Sequence, residues 1–537
     1  MVYTLQRYIF RELFKVFILS ALALSLMMSL GSLLEPIQKF GVAPSQVLTL
    51  LLCFMPVILT FVLPVAAIFS SALIYGRFAG DNELDACRAS GVSLLTLIYP
   101  GLFLGIVVSI TTLILSFHVM PSFIQKAERV IKADAKQICF RNIQRKGFYE
   151  IPGGRFKIQA DYVDTANDQL FGVVIVETKD QTFRRTIDAQ TANIRITPHT
   201  KYNDLEILAT DVYDTSPEGE QVYFEKLPLN YRFDSLLGDN IRFKKLNEIK
   251  QIQANPQEFY PIQKLVDHAY ARLVTEMLAE EINGAFISTL QGKYYRNLLS
   301  DDKHIIFTAQ DCVVSKKESK IELTGVTLIE YDLSNNQSIS QWQCSSAVIQ
   351  MERENDISSF VMTLYDASRK QDTGEVQLRF RPFFRGLKLP ISIADKLPAD
   401  KLIAIKKLFV ESPDQTMIEK PSPMLTSLAS GLEREMRKTL ASIKSEINSR
   451  LVFGIGCIAL ILISIGLGII YKGGHLLFAF GISVIPAAFL LVCMMAGKNM
   501  TKNLTAAGSQ AGVAIMWAGF IVLLVVVVFI YKKLLKM

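Results

Sequence analysis

Between two long apolar runs lies the loop Tyr75-Gly-Arg-Phe-Ala-Gly-Asp-Asn-Glu-Leu-Asp-Ala-Cys-Arg-Ala-Ser-Gly91, which gathers acidic, basic and sulfur side chains at helical spacing. Asp81 or Asn82 can cap a short helix, and Glu83 and Asp85 suit the positive end of its dipole. Arg88 suits the opposite end, and Gly91 can stop it in a left-handed turn. Leu84, Cys87 and Arg88 then share a face small enough to enter a groove of a partner protein. A solvated, well-capped turn accounts for the same residues without a partner.

The other reactive side chains argue against catalysis. Seven cysteines, at 53, 87, 139, 312, 344, 457 and 493, form no CxxC, and the histidines at 118, 199, 268, 304 and 475 never fall within four residues of one another. Neither a zinc framework nor a metalloprotease helix is present. No GxxxxGK[ST], GxSxG or HExxH occurs, so the chain lacks that device for cradling ATP phosphates. The carboxylate pairs Asp161 with Asp164 and Asp301 with Asp302 sit in turn-rich stretches, where Asp serves the backbone. Glu35 and Lys39 close the first apolar run, where Lys39 can hold an anionic lipid headgroup or anchor the helix at the interface.

Composition says what surrounds these groups. Of 537 residues 50% are hydrophobic and 20% charged, with a mean hydropathy of +0.30, too apolar for a soluble enzyme of this size. The net charge of +7 is too thinly spread to point to nucleic acid. Collagenous and disordered classes fail because glycine and proline carry no period.

Six uncharged stretches are long enough for roughly 30 Å of hydrocarbon. They run over Val16 to Leu34, Ser45 to Gly76, Ala89 to Phe117, Leu451 to Tyr471, Leu476 to Gly497 and Asn503 to Tyr531. Pro56, Pro64 and Pro100 predict kinks. With no small-residue cleavage site after it, the first stretch reads as a retained helix starting in the cytoplasm. Six spans put both termini on one side, with Arg7, Arg11, Lys15, Arg77, Arg88, Lys472, Lys532, Lys533 and Lys536 against Lys39, Lys498 and Lys502 on the other. The richer side is cytoplasmic, and His118 to Arg450 lie beyond the membrane.

That insert alternates apolar and polar residues as strands do, and is bracketed by amphipathic helices serving as stalks. Phe156 to Ala160, Leu170 to Glu177, Ala192 to Ile196 and Tyr213-Asp214 recur in order as Ile305 to Ala309, Leu323 to Glu330, Ala347 to Met351 and Tyr365-Asp366. This predicts a duplicated β-domain with a helical spacer, Leu265 to Ile282; chance similarity among hairpins is the alternative. Cys312 and Cys344 both fall in the second copy, either paired or as two buried thiols.

The fold class is therefore an α-helical membrane protein, six transmembrane helices in a 3+3 arrangement, with a large all-β insert. Its parts are helices one to three (1–120, with a short helix at 79–91), a stalk and first β-domain (121–254), a spacer (255–302), a second β-domain (303–395), a return stalk (396–450) and helices four to six (451–537).

With the opening Leu5-Gln-Arg-Tyr-Ile-Phe-Arg-Glu-Leu13, the loop from Tyr75 to Gly91 and the 3+3 spans around a β-rich insert, the chain resembles the LptF/LptG (YjgP/YjgQ) permeases of the bacterial lipopolysaccharide exporter. The resemblance implies a non-catalytic inner-membrane subunit with both termini cytoplasmic and a periplasmic jellyroll. Its partners would be a cytoplasmic ABC ATPase dimer, a sister permease, a periplasmic bridge protein and lipopolysaccharide or a related glycolipid. No cofactor would bind this chain, and ATP-Mg would sit on the ATPase. The loop would be the coupling helix, with Asp81, Glu83, Leu84, Cys87, Arg88 and Gly91 as its contact set and Glu83 as the acidic residue in the ATPase groove. Glu35 and Lys39 would face lipid headgroups, and spans one and five would be lateral gates. The insert looks longer than the family's single jellyroll, and Glu446-Ile-Asn-Ser-Arg450 lacks a histidine expected beside the arginine. A membrane-anchored periplasmic enzyme or another ABC-linked envelope machine are the competing readings.

Overall fold

The computed structural model describes residues 2–35, 44–151, 154–179, 182–199, 202–217, 219, 221–234, 240–288, 294–299, 303–316, 318–332, 338–354, 357–371, 374–377, 382–407, 418, 421–471, 476–502 and 506–536. They form two compact units, residues 1–256 with 437–537, and residues 257–436. Among the described residues, six helices are long and apolar enough to cross a membrane.

In the first unit, α1 (Val2–Glu35) and α2 (Pro44–Gly80) precede the short α3 (Glu83–Ala89). Next, α4 (Leu94–Ile114) passes through a π-helical turn, Leu115–Val119, into α5 (Met120–Ala133), followed by α6 (Ala135–Lys146). Leu50 and Cys53, near the start of α2, pack on Ala127 and Ile131 of α5 and Ile138 of α6. The strands β1 (Phe148–Glu150), β2 (Phe156–Asp164), β3 (Gln169–Lys179), β4 (Thr182–Pro198), β5 (Tyr202–Thr215) and β6 (Gln221–Asp234) form one antiparallel sheet in chain order. Its alternating apolar residues face inward, as the period of two demands, and Cys139, Phe140 and Ile143 of α6 complete that core. The helix α7 (Leu246–Ala254) ends this stretch.

The second unit begins with α8 (Tyr260–Ser288) and continues through β7 (Tyr294–Leu299), β8 (Lys303–Thr308), β9 (Asp311–Val314), β10 (Lys320–Asp332), β11 (Ser338–Glu354), β12 (Ile357–Tyr365), β13 (Ser368–Gln371), β14 (Gly374–Gln377) and β15 (Phe383–Leu387). These strands form one antiparallel sheet, followed by α9 (Ile391–Ala394) and α10 (Lys401–Lys407). The segment expected to be a spacer is structural: Leu273, Leu278 and Ile282 of α8 fill the second core, as α6 fills the first.

The pairing registers of the two sheets correspond strand by strand. Phe148 opposite Gln159 answers to Tyr294 opposite Thr308, and Leu170 opposite Val163 to Leu323 opposite Cys312. Leu208 opposite Pro228 answers to Thr363 opposite Phe383. Gly172 (φ 59°) and Gly325 (φ 56°) share the left-handed conformation and lie against Asp161 and Gln310, themselves equivalent positions. The sheet is duplicated, with one match corrected. Thr191 opposite Thr210 answers to Ser346 opposite Tyr365, so Asp366 (φ 51°) is the counterpart of Asp211 (φ 53°), not of Asp214. The left-handed residue breaks the alternation there, and a chance Tyr-Asp pair three residues on misled the sequence match.

Cys312 and Cys344 stand opposite Leu323 and Val326 on the two sides of β10. Two strand spacings across β10 and three residues along it place their backbones about 14 Å apart, beyond disulfide reach, and both thiols are free.

Three more long helices, α11 (Pro423–Ile470), α12 (Leu476–Thr501) and α13 (Ala506–Lys536), close the chain. The end of α11 packs with α12, α13, α1, α2 and α4 in one core. Small residues let backbones approach: a Cβ on Gly468 would lie 2.9 Å from Ala72 O of α2.

Candidate functional site

The helix α3 is built as its residues dictate at one end and not at the other. Gly91 (φ 84°) follows it in the left-handed region. The Gly91 N–H donates to Arg88 O and the Val92 N–H to Cys87 O, at 2.9 and 3.1 Å, the paired bonds of a glycine stop. Asn82 stands at the N-cap position, but in a left-handed conformation and with no side-chain cap bond. Asp81 instead forms an ion pair with Arg77 at 3.5 Å, tying the turn back onto α2.

Leu84 points the other way from the expectation. It is 4% exposed within the bundle core, and Cys87 packs against the same core. An apolar side chain on a helix lying on a bundle is better buried in its own protein than left in water. The face open to a partner therefore carries Glu83, Asp85 and Arg88, with Asp81 beside them, all exposed. Leu84 acts as the peg that fixes this face to the bundle.

Tyr75, one turn before the end of α2, is fully buried. Its Oη donates to Leu97 O at 3.0 Å and accepts from the Gly101 N–H at 3.2 Å. These are the two groups that a regular α4 would join to each other, so the hydroxyl is inserted into that ladder beside Pro100. Gly101 leaves room for this arrangement: a Cβ there would meet Ile465 and lie 3.0 Å from Tyr75 Oη. In the sequence the only signal of Tyr75 is a polar aromatic residue at the end of an apolar run.

At the opposite end of the bundle, Arg450 has the role that its lone position left open. Its Nε donates to Glu446 at 3.2 Å, and its terminal nitrogens donate to Ser116 O at 3.0 Å and Arg242 O at 2.6 Å. The π-helical turn frees the Ser116 carbonyl for this bond. Lys498 pairs with Glu446 at 2.8 Å. Arg450 therefore ties α11 to the π-helical turn. Of the headgroup candidates, Glu35 is the last residue of α1, and Lys39 lies outside the described residues.

Of the insert's two carboxylate pairs, only Asp161 with Asp164 lies among the described residues. Asp164 accepts from the Asn167 side chain and the Asn167 and Ala166 backbone N–H groups, which hold its carboxyl below the usual range; this is a turn. Asp301 and Asp302 lie outside the described residues. Among the described residues, no three His, Cys, Asp or Glu side chains group as metal ligands. Glu177, wholly buried, is the centre of a charge cluster with Arg155, Arg184 and Arg185 at 2.8, 3.1 and 2.7 Å. Burial acts to raise its carboxyl, and the bonds and charges of these arginines outweigh it, so the net shift is downward.

The model of the family described as lipopolysaccharide export system permease LptF/LptG matches residues 7–533. No curated protein matches the chain.

Proposed function

The chain belongs to the LptF/LptG family of lipopolysaccharide export permeases, and from that membership we propose that it is the permease subunit of an ABC-type exporter in a bacterial inner membrane. Both termini and α3 face the cytoplasm, where an ATPase dimer holding ATP-Mg supplies the energy. A sister permease completes the lipid cavity, and a periplasmic bridge protein takes the lipid onward.

The observation that carries this reading is α3 itself, an exposed acidic helix pegged by Leu84 to the bundle at the end of α2. Glu83 engages a groove of the ATPase, with Arg88 and Asp81 beside it. Closure of the ATPase dimer pushes α3, and Leu84 and Cys87 pass the displacement into the core. The 37 residues of α2 span about 55 Å at 1.5 Å each. Its far end bears on the stalk through Leu50, Cys53, Ala127 and Ile131, so a push at α3 reaches the first sheet.

Lipid enters past α1 and α12, which expose apolar side chains such as Leu19, Met27, Val492 and Met495. Glu35 and Lys39 meet its headgroup, Lys39 as a point charge toward phosphate. Its alkyl chains pass into the apolar interior of the first sheet. The test is purification of the full chain from native membranes, wild type beside Glu83→Lys, with mass spectrometry of protein and lipid. Wild type should bring down an ATPase and a sister permease, and the charge reversal should lose the ATPase. Wild type without any ATPase after mild cross-linking would overturn the reading.

A further inference from the structure

Two successive rungs of α4 are completed by side chains of other helices. Pro100 has no N–H to give Thr96 O, and Gln6 Nε2 of α1 donates to that carbonyl at 3.4 Å. The next rung, from Gly101 N–H to Leu97 O, is the one that holds Tyr75 Oη of α2. Lipid offers no donors or acceptors, so a helix interrupted in a membrane must find them on its neighbours. The start of α4, which follows α3 directly, is therefore weakly joined to the rest of its own helix and pinned at the break by α1 and α2.

Around Tyr75, α2 is in turn fixed to α11. A Cβ on Gly468 would lie 2.9 Å from Ala72 O and 3.1 Å from Gly76 N, so the two backbones meet on either side of Tyr75. Ser464 Oγ, one turn away on α11, donates to Ile68 O at 2.6 Å, and Ile465 covers Gly101. The short helix α3 is tied to α2 by the Asp81 ion pair with Arg77. After it, Ser93 caps α4 by accepting from the Thr96 N–H at 3.3 Å. A push on α3 thus has two outlets: it can bend α4 at Pro100, where its own rungs are missing, or it can move α2 together with α11.

We propose that Tyr75 decides between these outlets: its hydroxyl stiffens the break in α4, so that displacement of α3 is carried into α2 and α11 instead of being spent in bending α4. Tyr75 is a positioning residue, in contact with neither ATP nor lipid. A hydroxyl suits this place because it donates and accepts at once and so holds both free ends of one rung. Full burial keeps water from competing for either bond. The inference rests on the exporter reading and adds to it the joint that keeps ATP hydrolysis and lipid movement in step.

The test uses the full chain with its co-purified partners in lipid nanodiscs, counting lipid released per ATP hydrolysed. Tyr75→Phe keeps the ring and leaves Gly101 N–H and Leu97 O free to bond each other, so the bundle should fold. Its ATPase rate should stay within about twofold of wild type while lipid released per ATP falls about tenfold, the scale of one or two hydrogen bonds. Pro100→Ala supplies the missing N–H. Added to Tyr75→Phe, it lets α4 rebuild both rungs and should restore the ratio. Hydrogen exchange in the start of α4 should rise on trapping the ATPase with vanadate in Tyr75→Phe, and not in wild type or the double variant. An unchanged ratio in Tyr75→Phe, a parallel fall of hydrolysis and release, or no recovery in the double variant would make Tyr75 a packing residue only and overturn the proposal. Those results, with wild type releasing lipid, sink the joint alone; no ATP-dependent release by wild type sinks the exporter reading.

Discussion

The two sheets share a strand plan and place different residues beside one buried glutamate. In the first, Glu177 lies against Arg155, Arg184 and Arg185. In the second, the corresponding Glu330 accepts from Ser340 Oγ at 2.7 Å, and Ser340 in turn accepts from Trp342 Nε1. The register puts His304 and Ser340 where the first sheet has Arg155 and Arg185; His304 stacks on Tyr331 instead. A duplicated backbone thus keeps the demand that a buried carboxylate be met by donors, while the side chains at equivalent positions change, an arginine of the first sheet answering to Ser340 in the second. The second unit places its charged lock elsewhere: Arg272 of α8 binds Glu276 at 2.5 Å, Ser315 O and Glu318 O at 2.7 Å, and Ser422 at 3.3 Å.

This contrast can be broken by substitution, read as local amide exchange because two units need not unfold together. The largest effect belongs to Glu276→Ala, which strands a guanidinium 3% exposed; a loss of about 4 kcal/mol should speed exchange across 257–436 and spare the first sheet. Glu177→Ala should cost about 2 kcal/mol in β3 and β4, less than a fully buried pair because its arginines are partly solvated.

The same carboxylate sets a pH dependence. Its folded value lies below the unfolded one, so its stabilisation is complete above about pH 4.3 and is lost as pH falls through the folded value. Exchange in β3 and β4 should therefore accelerate on acidification, and Glu177→Gln should flatten the profile. Gly172→Ala and Gly325→Ala should each cost about 1–2 kcal/mol, since both force a left-handed Cβ onto a neighbouring side chain; a large effect at only one would break the correspondence between sheets. Smallest is Glu330→Ala, about 1 kcal/mol, and a value matching Glu177→Ala would show that the arginines add nothing.

Periodicity made the membrane helices legible, because an apolar run of that length has few other solutions. The glycine stop of α3 was legible because Gly91 acts through its own backbone. The side of α3 that Leu84 takes was not, since spacing says which residues share a face and not which neighbour that face meets. Arg450 was visible as an anomaly at the edge of an apolar run, but its acceptors, Ser116 O and Arg242 O, are backbone atoms far away in the chain. Asn203, buried at the start of β5 near Tyr149 and Phe233, gave no signal, because an inward-facing Asn and a solvated one look alike until the residues packed around them are known.

Local composition and period were enough for six apolar helices, a β-rich insert read twice and an acidic loop with a glycine stop. Contacts between distant segments were needed to show that Leu84 is a peg, that Tyr75 replaces a backbone bond of α4 and that Asp366 answers to Asp211. Each depends on atoms brought together from distant parts of the chain, where burial turns an ordinary polar or apolar group into one whose neighbours set its energy.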